Sequence, residues 1–167
     1  TTTTTYNTTT TTDNTTTGLS LTGVVTTFAG GIQGSTDATG TSASFNNPKG
    51  VTTDGTNLYV ADSGNHKIRK IVISTGVVTT VAGTTTSGST DATGTSAKFY
   101  FPTGITTDGT NLYVVDTDNH KIRKIVISTG VVTTLAGTGN SGFADSTTGT
   151  LAKFKQPYGI TSDGTNL

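Results

Sequence analysis

Short apolar runs separated by polar turns follow one another along residues 50–82. Interpreted as strands, they are four short segments, at positions 50–53, 57–61, 67–73 and 77–82. The turns between them contain Asp-Gly, Gly-Asn and Thr-Gly pairs at hairpin spacing. Side chains alternate between the two faces of a strand, so Ile68 and Val72 share one face. Ile71 and Ile73 share the other face. Apolar positions on both faces predict a four-stranded antiparallel sheet that is covered on both sides.

The same pattern recurs almost letter for letter further along the chain. Residues 102–137 copy residues 48–83, a third copy opens at Pro157, and residues 24–30 copy the end of a unit. A second shared element, rich in Gly, Ser and Thr, precedes each unit and ends at Phe45, Phe99 and Phe154. Four antiparallel strands in each long repeat are typical of a β-propeller blade. The repeat therefore predicts an all-β fold built from four-stranded antiparallel propeller blades.

The turn between the second and third strands carries a recognisable motif. Asp62-x-x-Asn65-His66-x-Ile68-Arg69 follows Leu-Tyr-Val-Ala and resembles the NHL repeat, which is named for an Asn-His-Leu triplet. The motif residues of the two copies are Asp62, Asn65, His66, Arg69, Asp116, Asn119, His120 and Arg123. Lys-Ile replaces the third letter of the triplet. The resemblance covers residues 23–167 and implies propeller blades, and the long unit is similar to the long-repeat NHL proteins of bacterial surfaces. Propellers of this family mostly bind proteins, RNA or sugars, and a minority are lyases or hydrolases.

The blade count predicts an incomplete propeller. We expect a Thr-rich N-terminal segment at residues 1–22 and propeller blades at 23–167. The predicted parts are full blades at 50–82 and 104–136, an orphan fourth strand at 24–29, and an orphan first strand with the start of a second at 159–167. Two full blades cannot close a ring, and open blades expose unpaired edges that proteins normally protect. We therefore expect either a fragment or a chain whose ends are completed by other chains.

Two interpretations of the N-terminal segment stay open. The sequence holds 45 Thr among 167 residues, many of them in the first 17. A Thr-rich linker, disordered or glycosylated, is one interpretation. The other is a strand donated to an incomplete blade of a neighbouring copy, because Thr favours strands and the run lacks Pro. The candidate assembly strand contains Thr1, Thr2, Thr3, Thr4, Thr5, Tyr6, Thr8, Thr9 and Thr10.

Composition excludes several functional classes. The net charge is zero, which removes a general electrostatic case for nucleic acid. No apolar run is long enough to span a bilayer, and the absence of Cys excludes thiolate metal sites and Cys nucleophiles. A chain so rich in Thr and without Glu suits an extracellular or cell-surface protein.

The candidate chemical groups recur at the blade period, which favours structural roles. His66 and His120 are the only histidines, whereas a catalytic base is expected once in a unique setting. We predict that each makes a hydrogen bond across its turn or to a neighbouring blade. The acidic pair Asp116 and Asp118 leaves Ca²⁺ binding open, but Gly64 replaces Asp118 in the first unit and favours a hydrogen-bonded turn. No cofactor is expected.

The remaining candidates are basic, aromatic and loop residues. Two equivalent basic clusters, predicted as solvated strand edges or ion-pair partners of Asp, are Lys67, Arg69, Lys70, Lys121, Arg123 and Lys124. The aromatic residues that recur with the blades are expected in the core between blades, with a sugar platform as the alternative: Phe45, Phe99, Phe154, Tyr59 and Tyr113. The loops that contain Asp37, Asp91 and Asp145 either carry a binding function or cap neighbouring blades.

These observations predict a non-enzymatic, extracellular structural protein that self-associates through its incomplete blades into a filament or surface layer. The alternative is a propeller module that binds a protein or glycan and belongs to a longer secreted protein. A fragment of a propeller lyase or hydrolase is the third interpretation. It ranks behind the other two because the sequence has no Ser-His-Asp spacing, paired Glu or HExxH motif.

Overall fold

The computed structural model describes residues 25–167, and most of them belong to two four-stranded antiparallel sheets. In chain order the strands are β1 (Ile32–Gln33), β2 (Ser44–Phe45), β3 (Pro48–Thr53), β4 (Asn57–Asp62), β5 (Lys67–Val72), β6 (Val78–Gly83), β7 (Pro102–Thr107), β8 (Asn111–Asp116), β9 (Lys121–Val126) and β10 (Val132–Ala136). The sheet β3-β4-β5-β6 is blade 1, the sheet β7-β8-β9-β10 is blade 2, and β1 pairs with β2 in parallel. The all-β prediction, with four antiparallel strands per unit, is confirmed.

Five single-turn 3-10 helices complete the secondary structure of the described residues: Gly40–Ser42, Ser63–Asn65, Gly94–Ser96, Thr117–Asn119 and Gly149–Leu151. Two of them form the turn between the second and third strands of each blade. The other three lie in the loops that precede each unit. None of the helices found in the described part of the chain is long and apolar enough to cross a bilayer.

Aspartate side chains shape the tight turn between the first two strands of each blade. Asp108 Oδ1 accepts hydrogen bonds from the backbone N–H groups of Thr110 and Asn111. A side-chain hydrogen bond from Asn111 is the largest cause that holds the pKa of Asp108 well below its ordinary value. Gly109 follows with φ of 86°, a conformation that glycine adopts without steric cost. The same turn stands at the equivalent place in blade 1.

The main core lies between the two blades and uses the alternation of strand side chains. Tyr59 and Ala61 of β4 face blade 2, whereas Leu58 and Val60 face the opposite way. The buried residues of this core are Tyr59, Ala61, Ile68, Ala82, Ala97, Phe99, Ile105, Leu112, Val114, Ile125 and Val132. Blade 2 covers one face of blade 1, and the loop that ends at Phe45 covers part of the other face.

The burial predicted for the third strands holds only in part. Ile71 and Ile125 are buried, at 5% and 0% exposed, and the adjacent Val72 and Val126 are half-buried. Ile73 is 40% exposed, so the prediction that it is buried was wrong. Its counterpart Ile127 packs against the core between the blades. Ile73 lacks that contact because no complete blade stands before blade 1 in the described residues.

Neither orphan segment, predicted at 24–29 and 159–167, forms a strand among the described residues. Residue 24 lies outside the described part, and residues 25–29 and 159–167 are assigned to no strand. Backbone ladders require a partner strand, and neither segment has one among the described residues. Residues near Tyr158 still run beside β7, where the Thr103 hydroxyl donates to the Tyr158 carbonyl at 2.7 Å.

The first strands of successive units lie side by side at the inner edge of the blades. A Cβ atom added to Gly50 would stand 2.4 Å from the Thr103 carbonyl oxygen, and one added to Gly104 would stand 2.6 Å from the Tyr158 carbonyl oxygen. Glycine is thus required in the first strand because the neighbouring strand approaches so closely. This contact repeats from unit to unit and sets the stacking of the blades.

Candidate functional site

The motif residues of blade 1 converge on one buried carboxylate. Asp62, at the end of β4, is fully buried and accepts three hydrogen bonds. The donors are the Asn46 backbone N–H at 2.8 Å, the Asn65 side-chain amide at 2.8 Å and the Arg69 Nη1 at 2.7 Å. Because each donor lies on a different segment, Asp62 ties together the loop before β3, the turn after β4 and the third strand, β5.

Arg69 extends this network to the loop that precedes the blade. Its guanidinium is fully buried, and its Nη2 lies 2.6 Å from Asp37 Oδ1. The remaining donors reach the carbonyl oxygens of Ser44 and Thr36 at 3.0 Å and 2.9 Å. The ring of Phe45 lies under the guanidinium, 4.9 Å from its carbon to the ring centroid. Paired and stacked in this way, the charge of Arg69 is compensated inside the fold.

Blade 2 repeats the arrangement. Arg123 Nη1 lies 2.6 Å from Asp116 Oδ2, and its Nη2 lies 2.5 Å from Asp91 Oδ1. Asn119 donates to Asp116 at 2.8 Å, and Arg123 stacks on Phe99 at 5.1 Å. The arginines are therefore ion-pair partners of Asp, which was one of the two predicted alternatives, and they do not belong to solvated basic clusters.

Each histidine joins its own blade to the start of the next unit. His66 Nδ1 accepts the Phe101 backbone N–H at 3.1 Å, and His120 Nδ1 accepts the Gln156 N–H at 3.1 Å. The His66 ring also makes edge contacts with Tyr100 and Phe101. Burial is the largest cause that lowers the pKa of His66, although Asp116 and Asp118 oppose the shift. An unprotonated Nδ1 is what this hydrogen bond requires.

Metal ligation finds no support in this geometry. The Asp116 carboxylate is already occupied by Tyr100, Asn119 and Arg123. Asp118 lies beside it on the turn, and its Oδ1 is 3.4 Å from the Gln156 amide. Within residues 25–167, no group of three or more His, Asp or Glu side chains is placed to hold a metal ion.

The core prediction for the recurring aromatic residues holds for two of the five. Tyr59 and Phe99 are buried in the core between the blades, whereas Phe45, Tyr113 and Phe154 are half-buried. Phe45 and Phe99 each stack on an arginine. Tyr59 and Tyr113 also donate their hydroxyls to the turn residues Asp54 and Asp108. Burial, followed by the bond to Asp54, raises the pKa of Tyr59 to about 12.

The long loops cap the blade that follows them. Asp37 accepts hydrogen bonds from Arg69 and from the backbone N–H of Thr80, and Asp91 does the same for Arg123 and Thr134. Asp145 is exposed and makes no such pair among the described residues. The capping alternative thus holds for the first two loops. The candidate assembly strand, Thr1 to Thr10, lies outside the described residues.

Sequence reasoning missed the partnership of loop and blade, although a signal exists. Asp37 precedes Arg69 by 32 residues, and Asp91 precedes Arg123 by the same 32. A constant spacing between opposite charges in two repeats is a sign of contact within each unit.

The two outer faces of the blade pair are close counterparts of the two surfaces that meet between the blades, but they are more exposed. We call the face of blade 1 opposite blade 2 the front face, and the face of blade 2 opposite blade 1 the rear face. On the front face Val51 is 63% exposed, whereas its counterpart Ile105 is 6% exposed inside the interface. On the rear face Leu135 is 38% exposed and Ile122 half-buried, whereas Ile68, the counterpart of Ile122, is fully buried. The outer faces therefore expose apolar positions that the repeat buries once it has a neighbour.

Comparisons with known proteins agree with this architecture. The NHL repeat family matches residues 45–71. Human NHL repeat-containing protein 2 is 40% identical over 107 residues, which are 61% of this chain and 15% of that protein. A crystal structure of a protein of unknown function from Bacteroides thetaiotaomicron shares 32% identity with a TM-score of 0.59, covering 65% of this chain and 28% of the other. An auxiliary nutrient binding protein from the same organism shares 25% identity with a TM-score of 0.61, covering 68% and 32%.

Fold and motif together define the class, an open segment of a β-propeller with four-stranded blades. The NHL repeat model matches residues 45–71, and residues 99–125 are a near copy of that stretch. It spans 15% of the length of the human relative and about a third or less of the solved structures.

Proposed function

We propose that this chain is a non-enzymatic structural protein that associates end to end through its front and rear faces. One observation supports the proposal: the two faces are copies of the two halves of an interface that the chain already forms. The front face of blade 1 matches the surface of blade 2 that packs on blade 1. The rear face of blade 2 matches the surface of blade 1 that receives it. The front face of one copy can therefore pack on the rear face of another copy in the way that blade 2 packs on blade 1.

Head-to-tail contacts of this kind form a ring if the rotation closes and a filament if it does not. Apolar side chains drive the association, since each contact removes exposed positions such as Val51 and Leu135 from water. We expect each contact to bury more than about 1,000 Å², as specific interfaces do. We place the assembly outside the cell or at its surface, which fractionation of the source cells with a specific antibody tests.

A structural role for the motif residues fits this proposal. Asp62 and Arg69 are fully buried with their charges paired, and His66 closes the seam between units. A reacting group must reach its substrate, and these groups are instead engaged with their own chain. We therefore expect no turnover of esters, lactones or glycans that depends on His66 or His120.

The test is the mass of the chain in solution, measured by light scattering after size exclusion across a range of concentrations. The unmodified chain should form species larger than the monomer. Val51→Asp and Leu135→Asp should each shift the chain toward monomer, because each places a carboxylate in the contact.

The matched control is Val131→Asp. Val131 is 37% exposed and its counterpart Val77 is 36% exposed, so this position is never covered by a neighbouring blade. The control should assemble like the unmodified chain. A chain that stays monomeric at high concentration, or equal assembly of all three variants, contradicts the proposal.

A second function is supported by a separate observation. One similar solved structure is an auxiliary nutrient binding protein, and NHL repeats occur in the relatives as part of longer chains. We propose as the alternative that the chain is a binding module of a larger propeller, with a protein or glycan as its ligand. In that case the front and rear faces contact further blades of the same polypeptide, and the isolated chain binds a ligand whether or not it assembles.

A further inference from the structure

A cavity of about 330 Å³ lies where three successive units meet at the inner edge of the blades. The starts of β3 and β7 line it together with the third unit. We call this cavity the axial rim site. The larger cavities, such as the one beside Phe143 and Phe154, lie instead at the open ends where a further blade would stand.

Within the two complete blade units, the axial rim site contains the positions that change in chemical type. Units 48–83 and 102–137 differ at only six positions, and four of the six exchange similar side chains. At two of the six positions the side chains differ in chemical type: the first unit has Lys49 where the second has Thr103, and Gly64 where the second has Asp118. Lys49, Thr103 and Asp118 all line the site.

The residues just before each unit diverge in the same way. Asn47, Phe101 and Gln156 occupy one repeat position, and all three line the site. The position after the following Pro carries Lys49, Thr103 and Tyr158. The two blade units are nearly uniform, and their changes of chemical type fall in one concave place. This arrangement fits a binding site, because a ligand needs different groups from each unit.

A second cavity between the blades shows the contrast. It measures about 210 Å³ and is lined by residues such as Tyr59, Lys70 and Thr79. Apart from Val81, every residue that lines it is identical in the other unit. A cavity that arises from blade packing alone therefore keeps the same lining residues in both units. The different lining residues at the axial rim site need another cause.

The backbone at the axial rim site is held in an uncommon conformation. Asn47, Phe101 and Gln156 have φ of 51°, 52° and 45°, in the left-handed region. Asn tolerates this region, but a bulky residue such as Phe rarely adopts it. The N–H groups of Phe101 and Gln156 are fixed by His66 and His120. Strain of this kind concentrates at ligand sites, where the surrounding structure holds it.

The chemistry of the lining indicates the ligand class. Lys49 supplies one positive charge and Asp118 one negative charge, so the site favours neither anions nor cations overall. Tyr158 is 59% exposed and Phe101 is half-buried, which provides aromatic surface. Thr103 and Thr117 bond each other at 2.7 Å and belong to the framework. The groups left for a ligand are a cation, a carboxylate, amides and two aromatic rings.

We infer that the axial rim site binds a neutral saccharide. Aromatic rings pack against the C–H faces of a sugar ring, while amide and charged side chains exchange hydrogen bonds with its hydroxyl groups. This inference rests on the second function proposed above and is independent of end-to-end association.

The experiment uses the full chain and a panel of neutral hexasaccharides with glucose, xylose or mannose units, measured by titration calorimetry. Heparin fragments and an unbiased peptide panel are run alongside. At least one neutral saccharide should bind saturably, and Tyr158→Ala should weaken it about tenfold, as loss of one aromatic contact does. Asp118→Gly and Lys49→Thr should also weaken binding. Each of them imports the residue that the other unit carries at that position, so the scaffold tolerates it.

Lys70→Thr is the matched control, because it removes the same charge at the second cavity. It should leave saccharide binding unchanged, as should Leu135→Asp, which acts only on association. Absence of binding to every neutral saccharide, or equal binding by Tyr158→Ala and Asp118→Gly, overturns the inference. Peptide binding that these variants abolish would overturn the saccharide assignment but keep the binding module.

Discussion

At the scale of single residues, each blade depends on one buried arginine. Arg69 satisfies Asp62 at the end of β4 and Asp37 in the loop before the blade. Removing one member of a buried ion pair leaves the other charge without compensation, which costs more than the pair contributes. The pair therefore makes blade and loop fold together.

Arg69→Met should lower the free energy of unfolding by about 3–5 kcal/mol, the range for a broken buried pair. Urea unfolding followed by circular dichroism measures this. Lys70→Met is the control, since Lys70 is half-buried and makes no ion pair among the described residues. Replacing Asp62 by Asn together with Arg69→Met should cost less than the sum of the two single changes. If the losses of unfolding free energy of the two single variants simply add up in the double variant, Asp62 and Arg69 do not stabilise each other.

His66 should make the stability of the fold depend on pH. Burial lowers the pKa of His66 below its ordinary value of 6.5. The unfolded chain therefore binds this proton at a higher pH than the folded chain, and stability falls as pH drops below 6.5 toward the folded pKa. Urea unfolding at a series of pH values from about 7 to 5 detects the change.

His66→Asn is the diagnostic variant. Asn tolerates positive φ, and its side-chain oxygen can accept the Phe101 N–H without titrating. The variant should lose part of the pH dependence, whereas His66→Ala should cost about 1 kcal/mol at neutral pH through the lost hydrogen bond. An unchanged pH profile in His66→Asn would assign the dependence to other groups.

At the scale of elements, the third strand shows how position in the array decides burial. Ile125→Ala should cost about 2–5 kcal/mol, as deletions in a packed core do. Ile73→Ala should cost well under that, because Ile73 is 40% exposed. Thermal and urea unfolding of both variants make the comparison. Equal costs would mean that the front face is covered in solution, which is what end-to-end association predicts at high concentration.

The strands and turns could be predicted from the sequence because they rest on local pattern. Asp-Gly turns and alternating apolar residues placed the strands of both blades within about two residues, and only the starts at Pro48 and Pro102 came earlier than predicted. The burial of Arg69 could not be seen, since Lys-Ile-Arg-Lys has the charge pattern of a solvated face. Its partner Asp37 is 32 residues away, and the strand pattern carries no information on that contact, which is marked only by the same spacing between Asp91 and Arg123. The strands expected at 24–29 and 159–167 are not formed among the described residues for a related reason, because a ladder depends on partners that local sequence does not specify.

At the scale of the whole molecule, the proposed end-to-end association rests on the exposed faces of the blade pair. Each blade needs a neighbour to bury positions such as Val51 and Leu135. The strand donated by the N-terminal Thr-rich segment stays a prediction, because that segment lies outside the described residues. Backbone pairing is nearly independent of sequence, so a Thr run can supply strand partners that the end units lack.

Deleting residues 1–17 should abolish assembly and leave the two blades rich in β-structure by circular dichroism, if the segment donates a strand. Light scattering compares the truncated and full chains at equal concentration. The control replaces the segment by a Gly-Ser run of equal length, which should behave like the deletion. Assembly of the truncated chain as strong as that of the full chain would identify the segment as a linker.

The ion pair between Asp37 and Arg69 also has a genetic consequence. Both partners lie within one stretch of loop and blade, and Asp91 and Arg123 lie within the next. Recombination between the nearly identical copies adds or removes one whole unit of loop and blade at a time. Such an event separates no ion pair if the join falls between Gly83 and Gly88. Each copy of the unit then keeps both its aspartate and its arginine. A change in the number of units therefore leaves each remaining blade with both members of its buried ion pairs.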